Sequence, residues 1–396
     1  MPDLDIEALR AITPGCANRN HLNNAGAALM STVTVGAMTG YLQRETLIGG
    51  YEAAAEAMDQ IGATYELLAR LLSAQPSQIA LFDNSTHAWN AACYSVPFKA
   101  GDRILTGRNE YGSAVLAYLQ LAQRTGAEIV VVPNDDSGQI DVGALAELID
   151  ERTKLIGLTW VPTAGGLVNP AAEVGRLARE ADVLYLLDAT QAVGQFPIDV
   201  AAVGCDMLTG TGRKFIRGPR GTGFLYVGPK ALDRLDPFVA EIRSATWTGG
   251  RSFAWVDGAR RFESWENSYV NIIGLGAAVQ QALDLGLDRI GHRSAALGAR
   301  LRTGLAEIDG VTVHDLGRER CAIVTARVAG VPAERVADAL SRRGISVTTT
   351  VAEHNQFDSE VRDVHPLVRL SPHYYNTEAE IDQAIDAIAA LVDKIR

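Results

Sequence analysis

Two short blocks hold the residues whose types and spacing could do chemistry. Asp188-Ala189-Thr190-Gln191 directly follows the apolar run Val183–Leu187. Shortly downstream comes Thr209-Gly210-Thr211-Gly212-Arg213-Lys214-Phe215, then Gly218-Pro219-Arg220-Gly221-Thr222-Gly223. An acid and a lysine at the ends of neighbouring strands could form a plain ion pair. Small and hydroxyl residues and an arginine flank Lys214, however, and such a set can hold a phosphate through side chains and backbone N–H groups. A nucleotide P-loop does not match, because Lys214 precedes Phe215 rather than Ser or Thr and the glycine spacing is wrong. Gly274-x-Gly276 lacks the third glycine and the preceding strand of a dinucleotide fingerprint. What fits is a lysine that captures an aldehyde, facing a carboxylate that keeps a pyridine nitrogen protonated, as pyridoxal 5'-phosphate (PLP) requires.

The surrounding sequence must place those residues at strand ends, where ligands of open α/β sheets bind. Apolar segments expected as strands are Gln78–Phe82, Arg103–Thr106, Glu128–Val132, Leu155–Trp160, Val183–Leu187, Met207–Thr209 and Gly223–Val227. Helices are expected at Trp89–Val96, Ala114–Thr125, Val142–Leu148 and Ala171–Glu180, giving the alternation of a mostly parallel sheet. Near-continuous apolar strands suit a sheet buried on both faces. The last two strands are joined tightly enough to include an antiparallel one. From Arg243 to Arg261 the chain reads as irregular. A long helix at Ile272–Leu285, a helical stretch Leu297–Ile308, a strand Ala322–Val328, a helix Ala333–Arg343, a strand Ile345–Thr350 and a closing helix from Glu378 complete a smaller α+β unit. The expected division is a large domain over 21–255 and a small one over 256–396 joined by 1–20.

The chain has 396 residues, 47% of them hydrophobic and 21% charged, with a formal charge of −11. That composition is globular, and the acidic balance argues against nucleic acid or anionic membrane as partner. Cys16, Cys93, Cys205 and Cys321 are widely spaced and form no CxxC pair, so neither a disulfide framework nor a Cys-rich zinc site is expected. His354, Asp358, Asp363 and His365 lie close in sequence but fit no standard ligand spacing, and no metal is expected. Met1–Arg10 carries three acids and no apolar core, unlike a secretory signal; no run reaches the ~18 apolar residues of a membrane helix. A cytoplasmic location is expected.

The sequence resembles the class V aminotransferase family of fold type I PLP enzymes, which includes cysteine desulfurases, selenocysteine lyases, isopenicillin N epimerase and hercynylcysteine sulfoxide lyase. The resemblance runs from His21-Leu22-Asn23-Asn24-Ala25-Gly26 to Arg369-Leu370-Ser371-Pro372-His373, and its specific block is Asp188…Gln191…Lys214…Gly218-Pro219-Arg220-Gly221. It implies a large α/β domain with a mostly parallel seven-stranded sheet. It makes Lys214 the lysine bonded to the cofactor aldehyde, Asp188 the partner of the pyridinium, and Gln191 a donor to the ring hydroxyl. Ser85 and Thr86 match the phosphate-binding turn at a helix start, and Thr211 and Arg213 the other phosphate contacts. Tyr111 stands where a residue stacks on the ring, and Thr163 beside the ring hydroxyl. Arg369 is where the family grips the substrate α-carboxylate, a task suited to a planar fork. Asn24 and Gly26 are expected at the substrate entrance. His87, after Thr86, reads equally as facing the cofactor or as an ordinary helix-end histidine.

The departures shape the expected activity. The segment aligned with the sulfur-accepting loop of cysteine desulfurases, Thr348–His354, holds Glu353 and no cysteine. Gly49-Gly50-Tyr51-Glu52-Ala53-Ala54, Glu110-Tyr111-Gly112 and Arg213-Lys214 together with Arg369-Leu370-Ser371-Pro372-His373 resemble the hercynylcysteine sulfoxide lyase branch. The expectation is a carbon–sulfur β-lyase, with an amino-acid epimerase or an aminotransferase as alternatives. The resemblance further implies a homodimer with shared active sites, with Arg261–Glu266 approaching the site. Arg213, Lys214, Arg217, Arg220 and Arg369 are expected to form one cationic pocket.

Overall fold

A computed structural model describes residues 4–364 and 366–394. Its centre is a seven-stranded sheet in the order Ile79–Phe82, Gly223–Val227, Met207–Thr211, Leu184–Asp188, Thr153–Thr159, Arg103–Thr106, Glu128–Val131. Five neighbouring strands are parallel, while Gly223–Val227 runs antiparallel to both Ile79–Phe82 and Met207–Thr211. This is the fold type I architecture, with the tight antiparallel pair where the sequence placed it. Leu184–Asp188 is buried at every position because helices cover both faces of the sheet. Its neighbour Thr153–Thr159 is exposed only at Lys154.

Four helices before residue 73, Ile6–Ala11, Thr32–Ile48, Gly50–Glu56 and Met58–Leu72, carry no element in the sequence reading. Thr32–Ile48 starts on the Ser31 cap, and its mixed polarity hides the periodicity that would announce it. The stretch from Arg243 is not irregular throughout: Ala245–Gly249 and Ser252–Trp255 pair as an antiparallel hairpin. Its Gly- and Arg-rich sequence lacks the alternation of a half-buried strand, and most of its residues are exposed.

A second sheet of four antiparallel strands orders Val311–Val313, Val324–Val328, Val368–Leu370 and Thr348–Thr349. Leu297, Leu301, Leu305, Val336, Leu340, Ile381 and Ile388 from its helices pack against it as a separate core. The closing helix Glu378–Asp393 is fixed by a capping box between Thr377 and Glu380. The helix after the irregular stretch, expected in the small unit, packs on the large core. Tyr269–Leu285 buries Ile272, Ile273, Leu275 and Val279 in the large core, and the chain turns at Gly286, φ +86°, into Leu287–Ala306. Residues before 20 likewise pack Leu4, Ile6, Leu9 and Ile12 on the large core, tied to the small unit by the Arg10–Glu380 ion pair at 2.9 Å. Among the described residues no single helix is long and apolar enough to cross a membrane.

Candidate active site

The cavity at the carboxyl ends of the central strands holds about 640 Å³ including its mouth. Asp188 and Lys214 both line it, together with Ser85, Thr86, Tyr111, Thr163, Gln191, Thr211 and Arg213. Residues dispersed over 130 positions thus meet because each follows a strand of one sheet.

Asp188 ends its strand 9% exposed, and its Oδ1 accepts the Thr190 N–H at 2.8 Å. Burial pushes this carboxyl up, offset by the Thr190 hydrogen bonds and by Lys214. A cation facing it would restore the ionised form. Lys214 is held down to about 7, chiefly by burial, then by Arg213 and Arg369, against the opposing pull of Asp188. A neutral amine near neutral pH is the form that attacks an aldehyde or takes a proton.

The phosphate end is built on the helix Ser85–Tyr94. Asn84 caps it by accepting the His87 N–H at 2.8 Å, leaving the Ser85 and Thr86 amides facing the cavity. The Ser85 and Thr190 hydroxyls lie 2.6 Å apart there. Thr190 was not singled out from sequence, although its place between Asp188 and Gln191 could have marked it. Thr211 donates its hydroxyl to Thr222 O at 2.8 Å. His87 faces away, 2.7 Å from Asp83 on the exposed side.

At the opposite end, Gln191 donates to Ala25 O at 3.1 Å and Thr163 Oγ1 at 3.2 Å, and its buried Oε1 has no partner. Arg369 Nη1 donates to Thr163 O at 2.9 Å and Thr163 Oγ1 at 2.8 Å, Nη2 reaches Asn23 Oδ1 at 3.3 Å, and the buried Nε has no partner. Burial, with Arg213 next, lowers this guanidinium to about 10. The unpartnered buried atoms, the amide-rich turn and the lysine–carboxylate pair together match PLP and an α-carboxylate.

Several expected placements change. Asn24 does not reach the cavity: it is fully buried, donates to His21 O and Ser371 O, and accepts from Tyr375 OH. It pins the N-terminal strap to the small unit, and Asn23 approaches Arg369 in its place. Gly26 lies on the same strap, where a Cβ would fall 2.7 Å from Asn23 Oδ1, and its carbonyl accepts from Arg213. Arg217 leaves the cationic pocket. Fully buried at φ +64°, it donates to Leu29 O at 2.8 Å, Thr13 Oγ1 at 2.6 Å and Tyr374 OH, with its guanidinium 4.5 Å over the Tyr375 ring. Arg220 is exposed. Arg261–Glu266 lies behind the strand Ile79–Phe82, where buried Glu263 accepts from Tyr65 OH at 2.9 Å and Leu81 N at 2.8 Å.

Two further residues support the site. Glu110 is 2% exposed and accepts from Thr159 N at 3.0 Å and Thr159 Oγ1 at 2.7 Å, and Thr159 Oγ1 in turn accepts the Tyr111 N–H at 3.3 Å. Burial raises its carboxyl to about 7. His373, held neutral at about 3 by burial, donates Nε2–H to Phe215 O at 2.8 Å and so fixes the turn after Lys214. The segment Ala352–His354 packs on the start of Gly112–Thr125: the His354 and Tyr111 rings lie 5.9 Å apart, and a Cβ on Gly112 would fall 2.5 Å from Glu353 O. Asp358 bonds Asn355 and Arg362, and His365 lies outside the described residues.

The model of the aminotransferase class-V family matches residues 20–384. The chain belongs to this family. It is a PLP-dependent enzyme. A probable cysteine desulfurase of Methanothermobacter thermautotrophicus is 27% identical over 97% of this chain and 98% of its own, and one of Synechocystis is 30% identical over 87% and 83%. The apo cysteine desulfurase of Thermococcus onnurineus shares the fold with a TM-score of 0.92 at 24% identity, covering both chains completely. The cystine C-S lyase C-DES, solved with its product cysteine persulfide, does so with 0.86 at 23%, over 95% of this chain and 99% of its own. The enzyme class is that of a PLP-dependent lyase, with carbon–sulfur cleavage as the general reaction.

Proposed function

We propose that the protein is a carbon–sulfur β-lyase acting on an S-substituted cysteine or cysteine sulfoxide, with pyruvate and ammonia as end products. The observation that carries this is a complete lysine–carboxylate cavity with no thiol lining it. Cys93, Cys205 and Cys321 are buried, and burial pushes all three thiols up. Cys16 sits in the turn Pro14–Ala17, away from the cavity, with its thiol also raised by burial. The Thr348–His354 segment brings Glu353 and His354 to Tyr111 and offers no sulfur acceptor. A persulfide-forming route therefore finds no support here, although the curated relatives are named desulfurases.

Arg369 takes the substrate α-carboxylate through its free Nε, its other nitrogens being fixed by Thr163 and Asn23. Ser85, Thr86, Thr190, Thr211 and Arg213 would hold the cofactor phosphate, Gln191 and Thr163 would face its ring hydroxyl, and Tyr111 would cover the ring. When bound, PLP supplies a pyridinium ring that accepts the electron pair left at Cα. Asp188 holds the proton on the ring nitrogen. Lys214, a neutral amine near pH 7, would take the Cα proton. The Cβ–S bond then breaks, its electron pair leaving on sulfur as a thiolate, or as a sulfenate from a sulfoxide. Water converts the three-carbon remainder to pyruvate and ammonia. A panel of cysteine S-conjugates and sulfoxides, read by pyruvate release beside deuterium exchange at Cα, tests this. Stoichiometric pyruvate is expected, and Lys214→Ala should abolish it. Exchange without pyruvate would replace the proposal with the epimerase reaction.

We also propose a homodimer. Exposed Leu47, Tyr51, Phe238, Ile242, Trp247 and Phe253 give it apolar surface to bury.

A further inference from the structure

Two frames aim Arg369. One is its own strand, Val368–Leu370 of the second sheet, and the other is the turn at Thr163, which accepts from its Nη1. Both frames end on one buried acid outside the cavity lining. Asp315 lies two residues past the strand Val311–Val313, and its side chain has no exposed surface. Its Oδ1 accepts from Thr325 N at 2.9 Å and Thr325 Oγ1 at 2.7 Å, and Thr325 is the residue directly opposite Arg369 across the strand pair. The same Oδ1 accepts from Gly166 N at 3.3 Å, at the far end of the turn that starts at Thr163. Arg302 occupies the second oxygen: its Nε donates to Asp315 Oδ2 at 2.6 Å, while Nη2 donates to Ile323 O at 2.6 Å and to Cys321 O. Cys321 N closes the seam on Gly166 O at 2.8 Å. The approach leaves no room for a side chain, since a Cβ on Gly166 would fall 2.3 Å from Arg302 Nη2 and 2.5 Å from Ile323 O. The net stability of such a buried pair is small, because desolvation offsets the attraction. Its definite consequence is geometric, because charge-assisted hydrogen bonds fix the direction of the groups they join.

We propose that Asp315, seated by Arg302, is a positioning residue for Arg369. It locks the Thr163–Gly166 turn of the large unit to the strand beside Arg369, and so sets the angle at which the guanidinium meets the substrate α-carboxylate. This rests on the role given to Arg369 above. Hydrogen bonds weaken steeply as they bend, so a turn released from Asp315 costs affinity for the carboxylate. The substrate amine and the cofactor make no use of this lock.

The full chain loaded with PLP is titrated with S-methyl-L-cysteine and with 2-(methylthio)ethylamine, the same molecule without its carboxylate. Binding is read from the initial change in the cofactor absorbance band, before turnover. The ratio of the two affinities measures the carboxylate grip, and Arg369→Gln should collapse it toward 1. Asp315→Asn keeps the shape but places an amide where Arg302 needs an acceptor. It should cut the ratio about 10-fold, the scale of one weakened charged hydrogen bond. Thr325→Val removes one hydroxyl donor at nearly constant shape and should cut the ratio by about 3-fold. Affinity for the amine, and the PLP retained per chain after gel filtration, should match wild type in both variants. A wild-type ratio in Asp315→Asn and Thr325→Val, with Arg369→Gln collapsing it, would overturn this proposal and leave the role of Arg369 standing. A wild-type ratio in Arg369→Gln would overturn that role and this proposal with it. Equal loss of affinity for both compounds would assign Asp315 to packing alone and overturn the proposal.

Discussion

Gly223 offers a sharp test of how the sheet builds the cofactor site. It starts the strand Gly223–Val227, between Phe82 and Thr211, and its α-carbon abuts the turn that begins the phosphate-binding helix. A Cβ there would fall 2.3 Å from Asn84 C, 2.6 Å from Asn84 O and 2.7 Å from Ser85 N. These are backbone atoms, so no rotamer change relieves the contact. In Gly223→Ala the turn must retreat by about 1 Å to reach ordinary contact, and such overpacking costs about 1–3 kcal/mol. The same retreat carries the Ser85 and Thr86 amides out of hydrogen-bonding range of a phosphate. Losing one charged hydrogen bond of about 1.5–3 kcal/mol weakens PLP binding by about 10- to 100-fold. The control is Gly175→Ala, whose Cβ would fall 1.9 Å from Val203 O in the packing of Ala171–Glu180, away from the cavity. Apo protein is titrated with PLP by absorbance, and stability is measured by urea denaturation. Both variants should lose stability, but only Gly223→Ala should lose PLP affinity. Wild-type affinity in Gly223→Ala, or an equal loss in Gly175→Ala, would refute the reasoning.

Two further outcomes follow from the buried charges. Lys214 deprotonates near 7, so the rate of PLP capture by apo protein should rise about tenfold per pH unit below 7 and flatten above 8. Asp188→Asn removes a charge that raises this value and should move the midpoint lower; a wild-type midpoint near 10 would contradict the site. Glu110, raised to about 7 from its ordinary 4.5, binds its proton more tightly in the native state. Its contribution is therefore full below pH 4.5 and lost as pH rises through 7, a change of at most about 3 kcal/mol. Glu110→Gln should gain stability relative to wild type between pH 5 and pH 8 in urea denaturation, and a difference that does not vary with pH would exclude this role.

The sheet was legible because its strands are short apolar runs, buried on both faces except at the edge strand Glu128–Val131, and hydrophobicity marks such segments directly. The helices Val142–Leu148 and Ala171–Glu180 match their expected bounds for a related reason: each pairs an apolar stripe with clear end signals. Thr32–Ile48 was not legible, since it lies on the surface with little apolar asymmetry. Site residues immediately after strands, Asp188 and Lys214 above all, could be found because a parallel sheet gathers its strand ends at one edge. Glu110 and His373 escaped, because their contribution runs through a hydrogen bond to a neighbour's hydroxyl or carbonyl that no spacing encodes.

The sequence by itself determined the fold class, the lysine–carboxylate pair, and the absence of a cysteine from Thr348–His354, all properties of residue type and order. Only the tertiary structure decided which arginines serve the site. Arg213, Arg217 and Arg220 lie within eight positions of one another, yet one lines the cavity, one is sealed among Tyr374, Tyr375 and Thr13, and one faces solvent. The left-handed backbone at Arg217 reverses the chain there, and the direction of a side chain after such a turn depends on what packs against it.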